Sequence, residues 1–144
     1  MSQTEAKRPQ TPGEELANTI SHGVGILLAV VGAVPLLVRA VHSGSARGVV
    51  GMSLYAVSLI TLYAASTIYH GVRKPELKKN LRIMDHCSIF LLILGTYIPL
   101  ALLTLGGKLG WILIGINTAL AAVGITLKVV DLNRFSGVSL CCTP

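Results

Sequence analysis

Four apolar stretches, residues 19–38, 49–69, 85–105 and 109–130, dominate this 144-residue chain. Each is close to the ~20 residues that a helix rising ~1.5 Å per residue needs to cross a ~30 Å hydrocarbon core. They consist mainly of Leu, Ile, Val, Ala and Gly and leave no polar face for water, which excludes a soluble helical domain. Charged residues make up 12% of the chain, about half the ~25% usual for a soluble domain. The fold class that follows is all-α: a polytopic transmembrane helical bundle. The first stretch is too long for the ~7–15-residue apolar core of a signal peptide, and no small-x-small cleavage site follows it.

Charge distribution sets the orientation. Lys7 and Arg8 precede the first stretch, Arg73, Lys74, Lys78, Lys79 and Arg82 fill the segment between the second and third, and Lys128 and Arg134 follow the fourth. Only Arg39, Arg47 and Lys108 fall on the other side. Nine basic residues against three put the N-terminus of this multi-pass membrane protein in the cytoplasm by the positive-inside rule. The net charge of +6 is therefore a topology signal. Without interleaved aromatic residues it is no nucleic-acid surface, and membrane lipids are the expected partners. Cys87 belongs to the reducing side, and neighbouring Cys141 and Cys142 are awkwardly placed for a mutual bridge, so no disulfide is expected.

Along the chain, residues 1–13 read as a disordered cytoplasmic tail and 14–135 as the transmembrane domain. Ser21, Gly25, Ala29 and Ala33 form a row of small residues at i+4 spacing, which lets helix backbones approach closely in lipid. Pro35 is expected to kink or end the first helix, the segment from Gly95 to Pro99 to kink the third, and Asn117 to bond a neighbouring helix. Residues 71–84 read as a basic loop, with the third helix opening near Asp85. Residues 136–144 read as an aberrant or truncated tail, because a fifth apolar run is expected to begin there.

Polar residues gather at one end of these stretches. Ser66 and His70 are four apart and share a helix face, as do Asn18 and His22, and Asp85-His86 is expected at the same depth. Imidazole and carboxylate groups suit zinc, and a catalytic zinc needs three protein ligands and a water. Asp85 could hold or deprotonate such a water, and Ser66 could orient it or a substrate. Taken singly, each residue also has a plainer reading. His70 fits a ring in the headgroup layer, Asp85 a helix N-cap, Ser66 a bond to its own helix, and His22 and His86 packing at the interface.

The segments Glu14-Glu15-Leu16-Ala17-Asn18 with Ser21-His22-Gly23, Ser66-x-x-x-His70, and Asp85-His86-Cys87 followed by Gly95-Thr96-Tyr97-x-Pro99 occur in that order. Together they resemble the signature segments of the hemolysin III proteins. These are the bacterial branch of the progestin and adipoQ receptor group, related to membrane hydrolases that include alkaline ceramidases. The resemblance implies a seven-helix fold, of which four helices are present here, with a cytoplasmic N-terminus and a zinc site near that face. It further implies that His70 is a zinc ligand, that Asp85 holds the zinc-bound water, and that Ser66 lies beside the site. The other two ligands would come from a His-x-x-x-His pair on the last helix, and none of the four histidines here makes such a pair. The chain is thus expected to bind zinc weakly or not at all, unless His22 or His86 substitutes.

Two classes of function stay open from sequence. One is a zinc-dependent membrane hydrolase acting on lipid amides, incomplete in this chain. The other is a non-enzymatic sensor or regulator of membrane properties, with a lipid ligand or self-association as further expectations. A pore-forming cytolysin would need a polar stripe along several helices, and the first two helices offer little beyond small residues.

Overall fold

The computed structural model describes the backbone of residues 10–139 and the side chains of residues 10–130. Residues 1–9 of the expected disordered tail, and residues 140–144 with Cys141 and Cys142, lie outside the described residues. Four long helices account for nearly all of the rest: α1 (Pro12–His42), α2 (Ala46–Gly71), α3 (Pro75–Leu100) and α4 (Gly107–Ser139). All four are long and apolar enough to cross a membrane, as the apolar stretches require.

Local chemistry explains where the helices start. Thr11 caps α1: its Oγ1 accepts from the Glu14 amide at 3.3 Å, and its own amide donates to Glu14 Oε2 at 2.8 Å. Pro12 sits at the first helical position, where its missing N–H costs nothing. Ser45 caps α2 by accepting from the Gly48 amide. α3 opens on Pro75 and runs through the basic segment expected to be a loop. Asp85 therefore lies well inside a helix and is not its N-cap.

Pro35 neither ends α1 nor stops it short of His42. After Pro99, α3 passes into a π-helical turn at Ala101–Leu105. Gly106 and Gly107 then reverse the chain with positive φ values of 58° and 48°, a conformation that glycine adopts without a Cβ clash. This pair makes the tight turn between the third and fourth apolar stretches.

Packing is serial. Among the described residues α1 packs on α2, α2 on α3 and α3 on α4, while α1 touches neither α3 nor α4 along its backbone. Small residues make the close approaches. Gly25, Ala29, Ala33 and Ala40 are buried on α1, and a Cβ at Gly25 would stand 2.6 Å from the Tyr63 ring. Ser21, expected in the same row, is exposed. Gly51 of α2 abuts Pro99 of α3, and Gly95 of α3 abuts Ser58 of α2. Large apolar side chains such as Leu28, Val31 and Trp111 point outward and are exposed, the arrangement that lipid rewards and water would not.

Candidate functional site at the cytoplasmic helix ends

The antiparallel course brings the start of α1, the end of α2 and the start of α3 to the end that the charge bias assigns to the cytoplasm. There Glu15 of α1 forms two short bonds to two other helices. Its Oε2 lies 2.7 Å from His70 Nδ1, and its Oε1 accepts from Lys78 Nζ at 2.7 Å. The side chains of His70 and Glu15 are 10% and 19% exposed, so water competes little for these bonds. Because α1 and α3 do not pack directly, the Lys78 side chain is the arm by which α3 reaches α1. Lys78 also lies over the Tyr69 ring, 5.2 Å from its centroid, a further favourable contact for the cation.

His22 stands beside this cluster. Its ring meets Tyr63 edge-on at 5.9 Å between centroids and His70 at 5.8 Å. Its Nδ1 is buried without a hydrogen-bond partner. Such a group carries a desolvation cost of about 1–3 kcal/mol unless something else satisfies it. An open groove of about 460 Å³ adjoins the cluster and is lined by Glu15, His70, Arg73 and Lys78 together with Gln10, Pro12, Leu16, Thr19 and Gly71.

The residues singled out from sequence do not all meet. His70 is in the cluster, and Ser66 lies one turn deeper on α2, buried at 3% exposure. Asp85 stands seven residues beyond Lys78, about 10 Å along the α3 axis. Among the described residues no hydrogen bond or ion pair joins Asp85 to His70. Its Oδ2 is 3.6 Å from His86 Nδ1, too far for a hydrogen bond, and its carbonyl accepts from Ser88 Oγ at 2.6 Å. His86 Nδ1 instead donates to the Arg82 carbonyl at 2.8 Å. α3 starts earlier than hydropathy indicates, so Lys78 rather than Asp85 reaches Glu15, while the Gly95–Ser58 contact sets Asp85 within about a turn of the depth of Ser66.

Zinc chemistry can be tested against this donor set. His22 and His70 are neighbouring imidazoles, and the orphaned Nδ1 of His22 is a free donor atom. Among the described residues, however, no group of three or more His, Cys, Asp or Glu is placed to hold a metal. Two imidazoles fall short of the three protein ligands of a catalytic zinc. A zinc centre complete within the described residues does not fit.

Sequence reasoning gave Glu15 no role beyond its place in the Glu14–Asn18 segment, and Lys78 none beyond a topology signal. It left His22 open, as a packing residue or a substitute ligand. One signal was available: Glu15 and His22 are seven apart, two turns of one helix face.

A multi-pass helical membrane protein with a polar centre at its cytoplasmic helix ends is the class that fold and site define. The family model described as "Haemolysin-III related" matches residues 11–143, and the chain belongs to that family. It is 39% identical over 142 residues to "Hemolysin-3" of Bacillus cereus, covering 99% of this chain and 65% of that protein. It is 41% identical over 122 residues to "Hemolysin-3 homolog" of Bacillus subtilis (strain 168), covering 85% of this chain and 57% of that protein. The chain thus spans about three-fifths of the length of these relatives. No solved structure matches it.

Proposed function

We propose that this chain carries one side of a zinc-dependent hydrolytic centre of the hemolysin III family, acting on lipid amide bonds. His70 serves as the chain's metal ligand, Asp85 as the group that holds a reacting water, and Ser66 as the residue beside it. The observation that carries this reading is the treatment of His70. A nearly buried imidazole is clamped by a charged carboxylate, with a second, unpaired imidazole next to it and a groove alongside. Clamping of this kind orients a ligand, whereas a histidine resting in the headgroup layer needs none.

Among the described residues the donor set is short by at least one ligand, so the chain is expected to bind zinc below one equivalent and to show no lipid amidase activity of its own. The alternative is a non-enzymatic protein that senses or adjusts membrane properties. A pore is not favoured, because the mid-membrane hydroxyls and amide of Thr96, Asn117, Thr118 and Thr126 all bond their own helix backbone.

Zinc titration of the detergent-purified chain against a chromophoric competitor tests the proposal. Weak binding that disappears in His70→Ala and survives in Asp85→Asn is the expected result. Zinc binding indifferent to His70 would sink the reading. Tight stoichiometric binding would mean that His22 or a second chain completes the site.

A further inference from the structure

We infer that Glu15 is a positioning residue: it fixes His70 in the Nδ1–H tautomer and so leaves Nε2 as the ring's one free lone pair. Two donors converge on the Glu15 carboxylate, and Lys78 is the first. Its ammonium occupies Glu15 Oε1 at 2.7 Å while His70 Nδ1 approaches Oε2, also at 2.7 Å. An ammonium at that distance favours the ionised carboxylate, which can only accept. The proton of the Glu15–His70 bond therefore belongs to the imidazole. A neutral ring carrying its proton on Nδ1 has its lone pair on Nε2, and Nε2 has no hydrogen-bond partner among the described residues. A histidine without such a partner favours the opposite tautomer in water, so Glu15 reverses the ring's intrinsic preference.

The geometry also limits how the ring can turn. Its neighbours are His22 on α1 at 5.8 Å and Tyr69 at 4.7 Å between centroids. A flip of the ring would break the bond to Oε2 and leave a partly buried carboxylate oxygen without its imidazole donor. The use of Nε2 as a metal-binding nitrogen rests on the hydrolase reading above; the tautomer does not. In that use Glu15 is the outer carboxylate of a carboxylate–histidine–metal arrangement, which raises ligand basicity and fixes orientation. Part of the Glu14–His22 segment thus acts at a site whose ligand lies on another helix.

The test is read without metal. Long-range ¹H–¹⁵N spectra of the ¹⁵N-histidine-labelled chain at about pH 8.5, above the ordinary histidine range, report which ring nitrogen is unprotonated, and His70→Ala assigns the signal. The wild-type chain should show Nε2 unprotonated, and Glu15→Ala should invert the pattern. At that pH, far above the ordinary carboxylate range, Glu15 stays ionised without the ammonium, so Lys78→Ala loosens the same cluster yet should leave the tautomer as in wild type. An Nε2–H ring in the wild-type chain, which needs no variant to detect, overturns the inference. So does an unchanged tautomer in Glu15→Ala, or inversion in Lys78→Ala, which would trace the effect to loosened helix ends. Zinc affinity of the same samples should fall about 10–100-fold in Glu15→Ala. Loss of all zinc binding in wild type would instead count against the hydrolase reading and leave the tautomer result standing.

Discussion

At the end of the helices where Glu15, His70 and Lys78 meet, side chains of three helices hydrogen-bond one another. In the apolar middle, the hydroxyls and amide that bond at all turn back on their own helix: Ser58 to Tyr55, Thr67 to Tyr63, Asn117 to Leu113. The helices there are joined by glycine, alanine and serine surfaces pressed against a neighbour. The difference follows from solvent. In hydrocarbon a polar side chain finds its cheapest partner one turn away, and packing must do the joining. Near the headgroups, charges are tolerable and can be used to tie helices together.

The sharpest way to break the packed half is at Gly95. A Cβ there would run into Ser58 Oγ and Cβ and come within 3.3 Å of the Leu54 carbonyl. Gly95→Ala should cost about 1–3 kcal/mol by overpacking. Gly32→Ala and Gly115→Ala, with nothing within 4 Å, should cost nothing. Unfolding in SDS–detergent mixtures, followed by circular dichroism, ranks the three. Equal effects would mean that the α2–α3 contact is not tight.

The polar half should respond less. Glu15→Ala removes both inter-helix bonds and is expected to cost about 1–2 kcal/mol in the same assay, since two donors lose a charged acceptor. The double-mutant cycle with Lys78→Ala should then be clearly non-additive. Additive losses would show that the ammonium and the imidazole do not share the carboxylate.

The smallest effect is expected at Asn117. Its amide serves only its own helix, so Asn117→Leu should change stability by less than about 0.6 kcal/mol, the average for an interhelical bond in lipid. A larger loss would restore the inter-helix role that the sequence suggested.

The four spans were legible because hydropathy over about twenty residues is a strong signal. The start of α3 was not, since the helical residues after Pro75 lie where lipid imposes no pattern, and charged helix formers such as Glu76, Lys78 and Lys79 look like a loop to hydropathy. His70 and Ser66 were found from i+4 spacing within one helix. Glu15 and Lys78 are 55 and 63 residues from their partners, and contacts at that separation depend on how helices are docked. Asp85 was misread as the opening of α3 because that reading hinged on a helix boundary.

The 31 residues of α1 extend over roughly 46 Å, against a ~30 Å hydrocarbon core. Residues 12–18 account for about 10 Å of that surplus at the Glu15 end, and the first turns of α3 rise beside them. The three-helix tie therefore stands in a collar above the acyl chains. Its dielectric surroundings are set by where the lipid headgroups come to rest along α1, and a bilayer a few ångströms thicker would carry that boundary toward Glu15. Membrane thickness thus becomes a variable acting on the His70 environment, with no change in any residue.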